Sequence, residues 1–402
     1  MTHPTAQVAP RPAVPIAPAF PIRLGILLAI AVGWLEILIR FAIHLIRGHP
    51  IDVGPHVLWM TPVANLLWFG VTGLALALAA RLWPRLARPA LVLGLLAFPA
   101  ILSLLLLNTK FFDSANVVLA AGLAVQAGTL GARHLPALER LARRGAVMAV
   151  ALLAAATLGL LGWLAGRERW ALAHLPSARD GAPNVLLIVL DTVRDFNVSL
   201  AGYERRTTPA LERWAAEGVH FEHAFAPAPW TLPSHATMFT GRWPHELTTT
   251  LKTPLDDRYP TLAEALRAAG YATGGFAANL SYVTWQFGLD RGFLHFEDFP
   301  VTKRTLFVAS SLGRWLWAHG TVRRLAGDYD LPDRKSAAMV GDGFLGWQAS
   351  LGRRPFFAFL NLFDAHFPYL PPAPYDTLFG PRPAPIFRGE ELKFGDLTPT
   401  ET

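Results

Sequence analysis

Cysteine is absent from this chain, and charged residues are scarce. The 402 residues include no Cys and only 16% Asp, Glu, Lys and Arg, against 52% hydrophobic residues. The lack of cysteine excludes disulfides and thiolate metal sites. The low charge excludes two ordinary soluble domains, so we expect part of the chain to lie in a lipid bilayer.

The small set of charges is biased toward the positive sign. A formal net charge of +7 would suit an anionic partner such as nucleic acid, but cytoplasmic loops of membrane proteins also collect arginine. The position of the arginines in the chain is sufficient to explain the bias. We therefore predict the bilayer as a partner and no nucleic acid.

Long apolar runs occupy the first 170 residues. Each is roughly 18 to 26 residues long, enough for a helix to cross a hydrocarbon core of about 30 Å. The first run is too long for a cleaved signal peptide and is followed by further runs. We predict transmembrane helices near residues 24–46, 57–82, 89–108, 114–131 and 146–166.

Arginines are concentrated in alternate joints between these runs. By the positive-inside rule the arginine-rich joints are cytoplasmic, so the N-terminus is cytoplasmic and an odd number of spans places the rest of the chain outside. The basic joints contain Arg81, Arg85 and Arg88, and Arg133, Arg140, Arg143 and Arg144. We thus predict a cytoplasmic tail (1–22), a membrane domain with five helices (23–170), a linker (171–183) and an extracytoplasmic domain (184–402).

Glu36 and Arg40 are charged residues inside the first apolar run. Charges within a membrane often mark a pathway or a head-group site. A spacing of four residues also fits an ion pair along one helix, with the arginine extended toward the interface. The sequence favours the ion pair.

From Asn184 onward, short apolar runs alternate with amphipathic stretches, as in a parallel sheet with crossover helices. "NVLLIVLD" is predicted to be a fully buried strand, "VHFEHAFA" a half-buried one, and "YATGGFAAN" and "PFFAFLNLFDAH" two more. Helices are predicted in "TTPALERWAAEG", with Thr208 as N-cap, in "TLAEALRAAG", with Thr261 and Glu264 at capping-box spacing, and around residues 336–350.

Polar residues follow several of these strands. Ligands of such sheets lie beyond the carboxyl ends of the strands, so we expect these residues to converge there. They are Asp191, Thr231, Asn279, Asp364 and His366.

Each residue also has a structural interpretation. Asp191 fits a metal ligand or a helix-cap group about equally well. Thr231 begins a helix whose dipole favours an anion, but a threonine there is more often a simple N-cap. His235, four residues on, lies on the same helix face as Thr231. A lone helical histidine is commonly structural.

The order and spacing of these segments resemble the N-terminal part of the sulfatase family, within the alkaline phosphatase superfamily. The resemblance covers nearly all of residues 183–375. Its segments are "NVLLIVLDTVRD", "GYERRTTPALERWAAEGVHFEHAFAPAPWTLPSHATMFTGRWPHE", "PTLAEALRAAGYATGGF" and "PFFAFLNLFDAHFPYLPP". The implied fold is an α/β domain with a largely parallel sheet, placed here after a multi-span helical membrane domain.

The resemblance also implies a divalent metal ion, whether Zn, Mn, Ca or Mg, and roles for individual residues. Asp191 matches the metal ligand after the first strand, and Thr231 matches the nucleophile, which also touches the metal. His235 takes the position beside it that usually holds Arg. His366 matches a histidine that contacts the anionic group of the ester, and Asn279 is expected to bind substrate with it.

This chain departs from the sulfatase pattern at the nucleophile. Formylglycine is made from Cys or Ser, so Thr231 cannot become the hydrated aldehyde of ordinary sulfatases. A metal-activated threonine is what the related phosphoethanolamine transferases and lipoteichoic acid synthases use, which also resemble this chain in carrying five membrane helices. In addition, Asp191 is followed by Thr192 where many members have a second Asp.

No stretch like the family's later Asp-His pair occurs after His366. We therefore expect an incomplete metal site, with the C-terminal part of the domain missing, and weak metal binding. The predicted protein is a membrane-anchored hydrolase or transferase of sulfate or phosphate esters, with a lipid or envelope glycan as a candidate substrate, and inactive if the site is incomplete. The alternative is a non-catalytic membrane protein that binds anionic envelope head groups.

Overall fold

The computed structural model describes residues 16–47, 51, 53–108, 110–326, 334–367 and 371–380. Most of the predicted tail, residues 1–15, and the last part of the predicted external domain, residues 381–402, lie outside this described part. The chain divides into two compact units. A membrane unit comprises residues 1–163 and 301–327, and an α/β unit comprises residues 164–300 and 328–402.

Helices occur at all five predicted positions of the membrane unit. Four are long and apolar enough to cross a bilayer. The third has 17 residues, about 26 Å at a rise of 1.5 Å per residue, so five complete spans remain a prediction. The helices are α1 (Phe20–Arg47), α2 (Val57–Leu82), α3 (Pro89–Leu105), α4 (Asp113–Arg133) and α5 (Leu135–Ala173).

Glycines allow α1 and α2 to approach closely. A Cβ atom built on Gly25 would lie 2.5 Å from the Phe69 carbonyl oxygen, and one on Gly33 would lie 2.7 Å from the Pro62 Cα. Small residues at such crossings bring helix backbones together, which is the main packing device between helices in lipid. A larger side chain at either position would push the two helices apart.

Three short helices between residues 301 and 327 belong to the membrane unit, although the sequence predicts them as part of the external domain. Ala309 packs against Met60 and Ala64 of α2, and Leu312 packs with Leu102 of α3 and Ala120 of α4. The sequence did not predict this segment, because a short amphipathic run does not reveal which surface it packs on. The helices are α9 (Lys303–Val308), α10 (Ser311–Ala318) and α11 (Gly320–Ala326).

A parallel sheet forms the centre of the α/β unit, as predicted. Its strand order is β1-β4-β2-β3. The strands are β1 (Val185–Leu190), β2 (Ala272–Ala277), β3 (His295–Glu297) and β4 (Phe356–Leu362), and the remaining helices are α6 (Pro209–Ala215), α7 (Thr231–Thr240), α8 (Leu262–Ala268) and α12 (Ala337–Ser350).

The sheet is covered on both faces around β4. Phe357 and Phe359 point into one apolar cluster with Leu232 of α7. Phe356 and Leu360 point into a second cluster with Trp347 of α12. Because successive strand residues face opposite sides, a strand covered on both sides is apolar on both, which explains the apolar run at residues 356–360 of β4.

Two strand predictions are wrong. The first strand is not fully buried, because β1 is at the edge of the sheet and Leu186 is 46% exposed. "VHFEHAFA" forms no strand, and its Val219, Phe221 and Phe225 are 75–88% exposed. Alternation of apolar residues describes a strand only when another strand is available to pair with it.

The helix starts are predicted more accurately. Thr261 accepts a hydrogen bond from the backbone N–H of Glu264, whose side chain accepts in turn from the N–H of Thr261. This is the predicted capping box of α8. Thr208 precedes α6 as predicted but makes no capping hydrogen bond. Ser336 caps α12 through the N–H of Met339, at the start predicted for that helix.

Candidate active site

Three neighbouring strands bring polar side chains to one end of the sheet. Asp191 directly follows β1, Asn279 comes two residues after β2, and Asn361 is the penultimate residue of β4. Asn361 is opposite Val189 on one side and Ala277 on the other. The carboxyl ends of parallel strands meet at one edge, so this order places the three residues together as a consequence of the topology.

Thr231 reaches the same place from a helix. It is the first residue of α7, after Trp230 at the N-cap position. Its Oγ1 is 3.4 and 3.5 Å from the two carboxylate oxygens of Asp191, and 3.4 Å from Nδ2 of Asn279. Since the hydrogen bonds of the Thr231 hydroxyl are with Asp191 and Asn279, the hydroxyl faces the polar cluster and does not cap the helix.

Asp191 is held by two amide groups. Nδ2 of Asn279 donates to Oδ2 of Asp191 at 3.0 Å, and Nδ2 of Asn361 donates at 3.5 Å. The amide oxygens are occupied elsewhere: that of Asn361 accepts from the N–H of Asn279 at 2.8 Å, and that of Asn279 accepts from the N–H of Tyr282 at 3.2 Å. Because backbone donors fix these oxygens, the NH₂ groups must face Asp191.

His235 is buried beneath the cluster, 3% exposed. Its Nδ1 lies 2.8 Å from the carbonyl oxygen of Thr231, which can only accept, so Nδ1 carries the hydrogen. Its Nε2 lies 3.5 Å from the Nδ2 of Asn361, a donor. Burial lowers the pKa of His235, while the Thr231 carbonyl and the charge of Asp191 act in the opposite direction. The ring is therefore neutral near pH 7 and fixes the backbone of Thr231.

The contacts of His366 and Asp364 are with residues other than Asp191, Thr231 and Asn279. The His366 ring stacks on Phe363, with centroids 4.1 Å apart, and its Nδ1 lies 2.9 Å from the carbonyl oxygen of Phe367. The Asp364 carboxylate accepts from the N–H of Ala337, at the start of α12, at 2.7 Å. Asp364 thus stabilises a helix start, and a substrate-binding role of His366 remains a prediction.

Thr192, at the position of the absent second Asp, has an unusual backbone conformation. Its φ is +60°, a left-handed value that is uncommon for a β-branched residue and is usually found where function requires strain. Its Oγ1 donates to the carbonyl oxygen of Ala365 at 3.4 Å. This turn directs the chain away immediately after Asp191 and leaves the carboxylate at the strand end.

The cluster alone does not fit a divalent metal ion. Hard divalent cations take six or more oxygen ligands, and here Asp191 and Thr231 are the candidates, since both asparagines present NH₂ groups. Among the described residues, no group of three or more His, Asp or Glu side chains could hold a metal.

Asn361 is the residue that sequence reasoning missed. It is fully buried, and it bonds to the groups on both sides of it in the sheet. The signal was present as the single polar residue inside the apolar run "FFAFLNLF". A buried amide in a strand that is otherwise apolar costs free energy unless it is hydrogen-bonded, so such a residue should be examined as a site residue.

Comparison with known proteins identifies the α/β part. A family model described as Sulfatase matches residues 183–382. The N-acetylgalactosamine-6-O-sulfatase of Bacteroides thetaiotaomicron is 33% identical over 98 residues, which is 23% of this chain and 19% of that protein. Arylsulfatase A of Bos taurus is 36% identical over 101 residues, 23% of this chain and 20% of that protein. The chain thus matches about a fifth of the length of these relatives.

Solved structures with partial likeness include a hydrolase and an integral membrane transferase. The phosphonate monoester hydrolase of Agrobacterium radiobacter aligns over 50% of this chain and 45% of that one, with a TM-score of 0.38 and 24% identity. The integral membrane lipooligosaccharide phosphoethanolamine transferase A of Neisseria meningitidis aligns over 90% and 72%, with a TM-score of 0.36 and 14% identity.

Proposed function

Through residues 183–382 this chain belongs to the sulfatase family, and from that premise we propose that it is a membrane-anchored hydrolase or transferase of sulfate or phosphate esters with Thr231 as its nucleophile. The observation that carries the proposal is the position of the Thr231 hydroxyl. It lies at the N-terminus of α7, beside the Asp191 carboxylate and the Asn279 amide.

The N-terminus of a helix favours an anion, because backbone N–H groups and the positive end of the helix dipole face it. α7 has ten residues and begins at Thr231. The sulfate or phosphate group of an ester would therefore bind next to the attacking hydroxyl. Asn279 supports the same geometry, since its NH₂ group faces the Thr231 oxygen and can stabilise charge that develops there.

The proposed reaction has two steps. Oγ1 of Thr231 attacks sulfur or phosphorus, the bond to the leaving oxygen breaks, and the hydroxyl proton passes to the Asp191 carboxylate at 3.4–3.5 Å. The leaving oxygen takes a proton from solvent. Water or an acceptor alcohol then attacks the covalent ester and loses its proton to solvent, the bond to the Thr231 oxygen breaks, and that oxygen recovers its proton from Asp191.

Other residues of the site position these groups or bind the substrate. The buried, neutral His235 positions Thr231 through its backbone, and His366 is proposed to contact the anionic group. A divalent ion is expected for the family, and Asp191 and Thr231 are the ligands that this chain would offer. No step above depends on that ion, because the described residues do not complete its ligand set.

We also propose that the α/β unit lies outside the cytoplasm. The packing of the membrane unit supports this topology. Residues 309–312 pack near the start of α2, the end of α3 and the start of α4, whereas the arginine-rich joints follow the end of α2 and the end of α4. Reporter fusions at Leu138 and Gly181 should therefore report opposite sides of the membrane. Reports from the same side would contradict the topology.

The nucleophile is tested by mass spectrometry of the full chain in detergent micelles. Brief exposure to an aryl phosphate or an aryl sulfate, followed by acid quenching, should leave a phospho or sulfo group on Thr231. Thr231→Ser should retain part of the adduct because the hydroxyl remains, and Thr231→Ala should form none. Turnover with an unmodified Thr231 would disprove the mechanism. Substrate binding without adduct or turnover would favour the non-catalytic binder of anionic head groups.

A further inference from the structure

The Glu36 carboxylate in the middle of α1 is fully buried and accepts four hydrogen bonds. Three are short: from the Ser311 hydroxyl at 2.6 Å, from the Ser311 backbone N–H at 2.8 Å and from Nδ2 of Asn65 at 2.9 Å. The fourth, from Nη2 of Arg40, is the longest at 3.4 Å. The ion pair predicted from the i,i+4 spacing is present, but Ser311 is the closer partner of Glu36.

Residues 309–311 are also bound by other groups of the membrane helices. The carbonyl oxygen of Ala309 accepts from Nη1 of Arg40 at 3.2 Å and from Oγ1 of Thr61 at 3.2 Å. Trp68 donates through Nε1 to Oγ of Ser310 at 3.1 Å. The turn that precedes α10 is therefore bound through both its backbone and its hydroxyl groups.

This arrangement gives hydrogen-bond partners to buried charged and polar groups of the membrane helices and of the 309–311 turn. Ser311 is the first residue of α10, and a carboxylate that accepts from a first-turn N–H is favoured by the helix dipole. A buried charge is tolerated only when it is paired and fully hydrogen-bonded, and removing one partner is strongly destabilising. Glu36 makes shorter hydrogen bonds to Ser311 than to Arg40. Arg40 in turn makes a shorter one to the carbonyl oxygen of Ala309 than to Glu36.

We propose that Glu36 and Arg40, with Thr61 and Asn65, form a docking socket whose ligand is the 309–311 turn of the same chain. The chain leaves the α/β unit after Pro300 and is again part of it at Arg334, so the socket binds a segment that lies inside the sulfatase-matched region. The socket is thus a second anchor of that region in the membrane unit, in addition to the direct continuation of the chain from α5. This anchor is independent of the chemistry proposed for Thr231.

The absence of cysteine makes a direct test possible. Ala309→Cys places a single thiol at a buried position, 8% exposed in the parent, and its labelling rate with a membrane-impermeant maleimide reports opening of the turn. Adding Glu36→Gln should accelerate labelling at least about tenfold, the opening expected when a buried Arg40 loses its charge partner. Ser103→Ala, which truncates a buried hydroxyl without a hydrogen-bond partner, is the matched control and should leave the rate unchanged.

Two further variants separate docking from an ordinary ion pair. Ser311→Ala leaves every transmembrane helix intact and should still accelerate labelling severalfold, even if Glu36→Gln fails to fold. Combining Glu36→Gln with Arg40→Met removes both charges, and labelling should remain fast because the turn has lost its acceptor. The proposal is overturned if Ser311→Ala labels at the parental rate, or if the double variant returns to that rate.

Discussion

The two units contain buried carboxylates with similar neighbours and different hydrogen-bond lengths. Glu36 in the membrane unit and Asp191 in the α/β unit are each surrounded by asparagine and by a hydroxyl side chain. The Ser311 and Asn65 contacts of Glu36 are 2.6–2.9 Å long. The contacts of Asp191 with the side chains around it are 3.0–3.5 Å long.

This difference distinguishes a structural site from a reactive one. A carboxylate that is fully satisfied by short hydrogen bonds contributes to stability, and nothing remains free for a ligand. Hydrogen bonds in an active site are often long without substrate and tighten when it binds. Glu36 therefore acts as an anchor, whereas the loosely held Asp191 and Thr231 can still rearrange around an ester.

Replacing each carboxylate by its amide tests this comparison most strongly. Glu36→Gln should lower the free energy of unfolding by about 3–5 kcal/mol, because Arg40 is left as a buried, unpaired charge. Asp191→Asn should change it by less than about 1 kcal/mol, because the remaining amide oxygen can still accept the 3.0 Å bond from Asn279 and the other contacts are 3.4–3.5 Å long. Thermal unfolding in detergent micelles measures both. Equal losses would show that Asp191 is as structural as Glu36.

The amide that supports Asp191 should be more important for stability than Asp191 itself. Asn361→Ala leaves the buried N–H of Asn279 without its 2.8 Å acceptor, so we expect a loss of about 1–3 kcal/mol in unfolding free energy. Thr249→Ala is the control, since this buried hydroxyl has no hydrogen-bond partner and its removal should be nearly neutral. A neutral Asn361→Ala would mean that the strand ends do not depend on this amide.

Another carboxylate of the α/β unit, Asp290, is partly buried. The pKa of Asp290 is raised from 3.8 to about 6, chiefly by burial and then by the charge of Asp298, against the attraction of Arg167 and Arg291. The folded state therefore binds the proton more tightly than the unfolded chain. This contribution to stability is complete below about pH 4 and is lost as the pH rises through 6.

Asp290→Asn should thus stabilise the protein by about 1 kcal/mol above pH 7, and the gain should vanish near pH 4. Unfolding midpoints of the variant and the parent, measured across this range, provide the test. Asp257→Asn, at an exposed carboxylate, is the control for removing one negative charge. A gain that does not depend on pH would argue against a raised pKa of Asp290.

Parts of this comparison could be predicted from the sequence. The β1, β2 and β4 strands follow from apolar runs, and the convergence of Asp191, Thr231 and Asn279 follows from their positions beyond strand or helix ends. Each of these positions is recognised from local sequence. The residues then lie close together because the strands of a parallel sheet end at the same edge. The family resemblance then gave the expected role of each residue.

The remaining features depend on contacts between distant segments. Ser311 is 275 residues from Glu36, and no local pattern links a short amphipathic helix to a charge in the first membrane helix. The strand prediction for "VHFEHAFA" is wrong for a different reason. Its alternating pattern is strong, but no strand of the described sheet pairs with it. Hydrogen-bond partners and strand neighbours depend on the tertiary structure, and the periodicity of apolar residues in the sequence does not predict them.

The smallest expected change in stability is for the truncation of Thr231 to alanine. Its size separates the interpretation of Thr231 as a helix N-cap from that of Thr231 as the nucleophile. An N-cap threonine loses about 1 kcal/mol when it is truncated to alanine. Thr261 is such a cap, because its hydroxyl accepts from the N–H of Glu264 at 3.1 Å and donates to the carbonyl oxygen of Arg291 at 2.9 Å. Thr231 follows the N-cap Trp230, and the hydrogen bonds of its hydroxyl are with Asp191 and Asn279, so its hydroxyl contributes little to the start of α7.

Thr231→Ala should therefore change the free energy of unfolding by less than about 0.5 kcal/mol, the range of substitutions that break no such feature, whereas Thr261→Ala should lower it by about 1 kcal/mol. Parallel urea titrations of the two variants, with the parent as reference, resolve this difference. Adduct formation should show the opposite order, because only Thr231→Ala removes the nucleophile. If Thr231→Ala were as destabilising as Thr261→Ala and still formed the adduct elsewhere, Thr231 would be a helix cap and the nucleophile would have to be another residue.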